Sequence, residues 1–182
     1  MTYTLLPPND PRVLSGIAEF NIDIFKEDEK IELKEFVDNM FETMKKYGGI
    51  GLSANQVGKP YRMFVMGDND NYINCWNPRI LVESDNKVAI QEGCLTYPGL
   101  FVKIFRPDWI EVEFEDENGE THQDTFEGLM CRVFQHEMDH MDGIDFTSKA
   151  TKMSLNIAKR KMKRGKLKLK RAHGKDMLAQ AS

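Results

Sequence analysis

The stretch at residues 135–140, Gln-His-Glu-Met-Asp-His, limits what this chain can fold into more than any other. His136 and His140 are four residues apart, so in a helix both imidazoles face one way with Cβ atoms roughly 5–6 Å apart. Glu137 follows the first histidine, where a carboxylate can take a proton from metal-bound water. This HExxH pattern predicts a metal site, although short patterns also arise by chance on surface helices.

The residues around the motif favour a buried helix rather than a surface one. Apolar side chains recur there at helical spacing, at Met130, Val133, Phe134 and Met141. Charged and polar groups in a buried helix are costly unless they are partnered. A metal ion is the partner that best fits two histidines and a glutamate.

A catalytic zinc-type site needs a third protein ligand and a fourth position for water. Downstream of the motif the chain has no glutamate, and its remaining candidates there are Asp142, Asp145, His173 and Asp176. Upstream, Cys94 lies in the rigid setting Glu-Gly-Cys-Leu-Thr-Tyr-Pro-Gly, and a thiolate with two imidazoles makes a suitable set. Cys94 is therefore our candidate third ligand, with a buried core cysteine or a downstream aspartate as the alternatives.

Composition places the chain among single-domain proteins of ordinary core size. It has 182 residues, of which 41% are hydrophobic and 30% charged, as in soluble globular proteins. It has no apolar run of membrane-spanning length, and its first residues do not look like a signal sequence. Three cysteines suit a reducing cytosol, so we expect a cytoplasmic protein in which Cys75 and Cys131 are small core residues.

Charge is distributed unevenly along the chain. The segment from Lys149 onward contains twelve lysines and arginines and one acid, whereas the rest carries an excess of acids that brings the net charge to −4. A basic tail on an acidic body favours a polyanionic partner such as RNA or the ribosome surface. A solvated basic end without a partner is the alternative.

The hydrophobic pattern predicts an α+β fold. Helices are expected at residues 13–19, 28–47, from about 127, and 154–164, with an extended basic end at 166–170. Strands are expected at residues 61–66, 72–76, 79–83, 87–91, 100–105, 109–115 and 121–126. We therefore predict short antiparallel sheets packed around a central HExxH helix, with an N-terminal helix and a basic C-terminal helix. Residues 1–150 would form one catalytic domain and residues 151–182 the basic helix and tail.

Three stretches resemble the signature motifs of the peptide deformylase family. They are residues 49–56 (GIGLSANQ), 92–96 (EGCLT) and 135–140 (QHEMDH), in the family's order and at about its spacing. Ser53 and Thr96 stand where the family usually has alanine and serine, and both substitutions keep small or hydroxyl side chains. Phe101 stands where many bacterial members carry a basic residue near the substrate backbone.

The resemblance implies a metal-dependent hydrolase that removes the N-formyl group from formylmethionine at the N-terminus of nascent polypeptides. Its one divalent ion would be held by Cys94, His136 and His140, most commonly as Fe(II), with zinc, nickel or cobalt also accepted. Glu137 would be the general base for attack by metal-bound water. The ribosome could bind the basic C-terminal segment, and no membrane or DNA partner is expected.

The same resemblance assigns the remaining site residues. The Gln56 side-chain amide and the Leu95 backbone N–H would stabilise the oxyanion. The methionine pocket and substrate site would be formed by Ile50, Gly51, Val133 and Glu92. Glu92 and Asp139 would both lie just outside the ligand set, and Asp139 would orient a ligand histidine.

Two other functions are compatible with parts of the sequence. One is an HExxH metallopeptidase that uses a downstream aspartate as its third ligand. The other is a catalytically idle scaffold whose basic tail binds RNA or the ribosome. The metal content of a Cys94→Ala variant separates the first from a deformylase.

Overall fold

The computed structural model describes residues 1–21, 32–67 and 72–179, with side chains described as far as Leu167. Within these ranges the helices are α1 (Leu33–Lys46), α2 (Gly128–Met141) and α3 (Lys152–Ala179), with short 3-10 helices at Ala54–Val57 and Phe146–Lys149. The strands are β1 (Gly51–Ser53), β2 (Met63–Gly67), β3 (Tyr72–Glu83), β4 (Lys87–Gly93), β5 (Phe101–Pro107), β6 (Trp109–Glu115) and β7 (Thr121–Glu127).

The described strands form two antiparallel sheets. The larger has the order β1-β2-β3-β6-β7, and the smaller pairs β4 with β5. Strand β6 buries Ile110, Val112 and Phe114 on one face, as the alternation of its sequence predicts. The α+β class is therefore confirmed.

Helix α1 covers part of the larger sheet with one apolar face. Its buried residues include Phe36, Val37, Met40, Phe41 and Met44, which recur at helical spacing. Gly48, at φ 70°, follows the helix end in the left-handed conformation that glycine adopts without strain. The predicted helix began earlier, but residues 28–31 lie outside the described part of the chain.

Helix α2 carries the HExxH motif and is buried along most of its length. Every residue from Cys131 to Met141 is buried, and Phe134, Met138 and Met141 pack with residues of the larger sheet. The Phe134 ring meets Phe64 of β2 edge-on at 5.1 Å between centroids. The packing of this apolar face fixes the orientation of α2. The opposite face therefore directs ionisable residues such as His136 and Asp139 towards β4 and β5.

The C-terminal end of α2 is held by segments that are distant in sequence. The Ile17 backbone N–H donates to the Met141 carbonyl at 2.8 Å, and the Asn55 side-chain amide donates to the His140 carbonyl at 2.8 Å. These donors satisfy carbonyls that have no partner inside the helix. Gly143 passes so close to Gly16 that a Cβ there would lie 2.6 Å from the Gly16 nitrogen.

The short helix predicted at residues 13–19 is wrong. The Val13 N–H donates to the Asp10 carbonyl and the Leu14 N–H to the Pro11 carbonyl, which makes turns rather than a helix. Downstream the N–H of Ile17 is committed to Met141 instead of to a local carbonyl. A tertiary hydrogen bond therefore overrides the weak local preference for a helix.

The two strands predicted at residues 72–76 and 79–83 form one continuous strand, β3. Its pairing with β6 changes register between Trp76 and Arg79. Asn77 has φ 47° there, and its side chain exchanges two hydrogen bonds with the backbone of Phe20, at 2.9 and 2.8 Å. The Asn-Pro pair thus makes a bulge within a strand rather than a break.

Helix α3 is longer than predicted, and the extended conformation expected at residues 166–170 is wrong. Ala158 is buried against Val102 and Ile104 of β5, with Leu155 and Met162 partly buried beside it. That packing anchors the first turns, and the helix then continues to Ala179. Within the described ranges, none of the helices combines the length and apolar character that a membrane span requires.

We expect Phe134→Ala to destabilise the protein by about 3–5 kcal/mol, because it removes a fully buried ring and leaves a cavity beneath the motif helix. Urea unfolding of the variant would measure the loss. Leu81→Ala is the matched control, since Leu81 is exposed on β3 and should change the unfolding free energy little. Equal effects of the two substitutions would contradict this packing.

Candidate active site

Helix α2 and the end of β4 bring three metal-type ligand atoms together. His136 and His140 lie one helical turn apart with ring centroids 5.2 Å from each other, and Cys94 follows β4 directly. The Cys94 Sγ lies 3.4 Å from His140 Nε2, and one ligand atom from each of the three residues lies within 4.8 Å of the others. Two ligands at tetrahedral angles on one ion stand roughly 3.3–3.6 Å apart, so the arrangement fits a single cation.

Cys94 is held in place by the turn that follows β4. Its carbonyl accepts the N–H of Tyr97 at 2.9 Å, and the Tyr97 hydroxyl donates to Asp145 at 2.7 Å. Cys94 is buried, and its Sγ faces α2. The structure therefore brings Cys94 close to the two HExxH histidines, as predicted.

Glu92 orients the first histidine. Its carboxylate accepts His136 Nδ1–H at 3.1 Å, which leaves Nε2 as the ring nitrogen available for a ligand. The same carboxylate accepts Arg106 Nε–H at 2.7 Å, Arg106 Nη2–H at 2.9 Å and Arg132 Nη1–H at 2.9 Å. The substrate contact predicted for Glu92 stays a prediction, and its carboxylate oxygens are engaged by these three side chains.

Asp139 does not orient a histidine as expected. Its carboxylate pairs with Arg106 Nη1 at 2.8 Å and with Lys149 Nζ at 3.1 Å. Arg106 therefore bridges Glu92 and Asp139, and so connects β5 to both β4 and α2. The sequence signal for this buried arginine is its place in β5, where it continues the two-residue spacing of Val102 and Ile104 and so lies on the same buried face.

Burial and neighbouring charges shift the pKa values of Glu92 and His140. Burial alone would raise the pKa of Glu92, but hydrogen bonds from His136 and Arg106 outweigh it and lower that pKa to about 2. Burial, with the positive charges of His136 and Arg106, lowers the pKa of His140 well below 6.5. A neutral imidazole with a free lone pair beside an ionised carboxylate network is the form that binds a metal.

Glu137 lies next to the candidate ligand His136 and lines the cleft. Its side chain is buried, and Oε2 accepts the Ser53 hydroxyl proton at 2.6 Å. Burial raises the pKa of Glu137, although the His136 charge and the Ser53 hydrogen bond oppose this. Gly51 leaves the space that the carboxylate needs, because a Cβ there would lie only 2.8 Å from Val133 Cγ1 and would also press on Glu137.

Gln56 presents its amide nitrogen to the same site. Its Oε1 accepts the Ser53 backbone N–H at 2.9 Å, so Nε2 is directed to Thr96 Oγ1 at 3.0 Å and towards Cys94 Sγ at 3.5 Å. Leu95 follows Cys94 in the chain and lines the cleft beside the ligands. The motif residues from three separate stretches therefore converge.

An apolar cleft of about 520 Å³ opens beside Glu137 and His136. The predicted pocket residues Ile50, Gly51, Val133 and Glu92 all line it. Sequence reasoning missed further lining residues on α2 and β4, among them Ile90, Gln91, Leu129 and Arg132. Leu129 and Arg132 stand one turn before Val133 and His136, so helical spacing from the motif could have found them.

We expect Glu92→Gln to lower the free energy of unfolding by about 3–5 kcal/mol at neutral pH, because it removes the carboxylate that pairs with the buried Arg132 and leaves the buried Arg106 with Asp139 alone. The folded-state pKa of Glu92, about 2, lies below the ordinary 4.5. Its contribution is therefore complete above 4.5 and is lost as the pH falls towards 2.

Urea unfolding at neutral pH and in acid between these two pKa values measures the difference between wild type and Glu92→Gln. That difference should shrink in acid. Glu83→Gln, at an exposed position of β3, is the control and should show little effect at either pH. A difference that stays constant with pH would rule out the ionised Glu92 as its source.

The family model described as polypeptide deformylase matches residues 9–156 of the chain. A peptide deformylase of Christiangramia forsetii is 37% identical over 157 residues, covering 77% of this chain and 79% of the relative. One from Novosphingobium aromaticivorans is 33% identical over 179 residues, covering 85% and 92%. The crystal structure of peptide deformylase from Plasmodium falciparum is similar with a TM-score of 0.78 at 31% identity, covering 93% of this chain and 99% of that one. With sequence motifs, site geometry and these relatives in agreement, the chain belongs to the polypeptide deformylase family of hydrolases.

Proposed function

We propose that this chain removes the N-formyl group from formylmethionine at the N-terminus of nascent polypeptides, as a metal-dependent hydrolase of the cytoplasm. The observation that carries the proposal is the convergence of Cys94, His136 and His140 beside the buried carboxylate of Glu137. These groups border an apolar cleft large enough for a methionine side chain. We place α2 at the centre of a catalytic unit of residues 1–150, with residues 151–182 as a basic appendage.

The donor set fits one divalent ion, which we propose to be Fe(II) in the cell, with zinc, nickel or cobalt as substitutes. Such an ion would act as a Lewis acid that polarises the formyl oxygen and makes water acidic. The chain's own part is to hold Cys94 and the two histidines rigidly. Glu92 fixes the ring of His136 through a hydrogen bond, and the turn after β4 fixes the position of Cys94.

Glu137 is the proposed general base. Its burial makes the carboxylate a better proton acceptor than an exposed one, because desolvation disfavours its charged form. The Ser53 hydroxyl holds Oε2, and Oε1 lies against Gly51, towards the cleft. Glu137 would take the proton from the attacking water and then deliver it to the departing amine.

The developing oxyanion needs donors from the chain. We propose the Gln56 Nε2–H and the backbone N–H of Leu95 for this role. The Ser53 N–H fixes the Gln56 amide so that its nitrogen cannot turn away from the site. Loss of one such donor typically costs about 3–4 kcal/mol of transition-state stabilisation.

Selectivity would follow from the shape of the cleft. Ile50, Gly51 and Val133 are proposed to hold the methionine side chain, with Glu92 as part of the wall. The tight contact of Gly51 with Val133 and Glu137 leaves room for a formyl hydrogen rather than for a larger acyl group. A metallopeptidase, by contrast, must accept chain on both sides of the amide it cleaves.

We expect the purified protein to release formate from formyl-Met-Ala, and Glu137→Gln to lower kcat by about 10²–10⁴-fold while the metal content is retained. The glutamine keeps the size of the side chain but cannot accept the proton. A formate-release assay with metal analysis checks both points. Glu111→Gln, at an exposed position of β6, is the control.

Three results would contradict parts of this proposal. Full activity of Glu137→Gln would reject the base. Unchanged metal content in Cys94→Ala would favour the peptidase alternative, with its downstream aspartate ligand. Absence of formate release from the metal-loaded protein would leave the metallopeptidase and the RNA-binding scaffold as the remaining functions.

We further propose that the exposed basic face of α3 contacts ribosomal RNA, since deformylation acts on chains as they emerge. Exposed cations of the described part of this helix include Lys159, Arg160, Lys163, Arg164 and Lys166. Cosedimentation with ribosomes should fall steeply with salt, and reversal of Arg160, Lys163 and Arg164 to glutamate should abolish it. Binding that survives these three reversals, or that ignores salt, would contradict the contact.

A further inference from the structure

The active-site cleft shares two lining residues, Gln91 and Phe101, with a second groove. This groove encloses about 450 Å³ between β5 and the first turns of α3. We call it the α3 groove. A chain leaving the cleft across these two residues would enter it directly.

Phe101 forms a ledge between the two cavities. It pairs with Gly93 across the small sheet, and its ring lies over that glycine so closely that a Cβ there would be 2.7 Å from Cε1. Phe101 as a residue is nevertheless 55% exposed, so the side of its ring away from Gly93 is open to a ligand. An aromatic surface that is fixed on one side and open on the other can pack against a passing polypeptide.

The α3 groove combines apolar and cationic groups. Met153 and Ile157 are exposed apolar residues of α3, and Lys103 and Lys161 supply charge from opposite sides. The residues that line it, all within the described ranges, include no aspartate or glutamate. The Ser154 hydroxyl donates to the Lys103 carbonyl at 3.1 Å and so ties the helix to the strand. The groove is therefore preformed, and its charge suits an acidic ligand.

We propose that the α3 groove binds the segment of the substrate polypeptide that follows formylmethionine, and that it favours segments carrying acidic side chains. This inference rests on the proposed deformylase function. Hydrolysis at the first residue leaves the rest of the substrate outside the metal end of the cleft. Passage over Phe101 then brings the following side chains between Lys103 and Lys161.

The test uses three peptides in which formyl-Met-Ala-Ser is followed by three acidic, three neutral or three basic residues. For each peptide, kcat/KM is divided by kcat/KM for formyl-Met-Ala. For wild type this ratio should be highest for the acidic peptide and lowest for the basic one. We expect about two- to fivefold per engaged lysine, mostly in KM and weaker in high salt. Lys161→Glu should reverse the order.

Lys87→Glu is the matched control, because Lys87 is exposed at the opposite end of β4 and does not line the α3 groove. It should keep the wild-type ratios. Phe101→Ser should lower the ratio for all three long peptides, since the ledge acts without regard to charge. If all three ratios stay at their wild-type values in Phe101→Ser, the proposed passage of the substrate over Phe101 is overturned.

Equal ratios for the three peptides in wild type would overturn the inference, and so would equal effects of Lys87→Glu and Lys161→Glu. In both cases hydrolysis of formyl-Met-Ala would leave the proposed function standing. Failure to hydrolyse formyl-Met-Ala would instead overturn the proposed function, and the inference with it.

Discussion

The carboxylate of Glu92 is the interaction on which the site depends. It accepts hydrogen bonds from Arg106, Arg132 and His136, and thereby joins β4, β5 and α2 at one point. Ionisable groups in a buried helix are tolerated only when each has a partner of opposite charge or a hydrogen bond. Here the counter-charges come from the small sheet, so the position of the candidate metal ligands depends on how that sheet packs against α2.

Much of the site followed from sequence because its residues lie in local patterns. The spacing of His136 and His140 fixes their common face once a helix forms, and Cys94 stands in a distinctive turn sequence. The partners of Arg106 and Asp139 could not be found this way. Which charges meet in the interior depends on how β5 crosses α2, and no periodicity within either element encodes that crossing.

The fold shows the same division between local and tertiary determinants. Strand β6 and helix α1 follow their periodicity closely, because one face of each is buried. The predictions failed at 13–19 and at 166–170. At 13–19 the backbone bonds to the end of α2, and at 166–170 a helix anchored by Ala158 continues past its packed turns. Asn77 shows a third case, since its side chain holds Phe20 and turns an expected break into a bulge.

The hydrogen bonds from Ile17 and Asn55 to the last carbonyls of α2 make the beginning of the chain part of the scaffold of the candidate metal site. His140 lies in the final turn of that helix, where fraying would be easiest without those two donors. Trimming or displacing the segment around Ile17 would free a ligand-bearing turn more than a hundred residues away. The affinity for metal would then report on the integrity of the N-terminal segment.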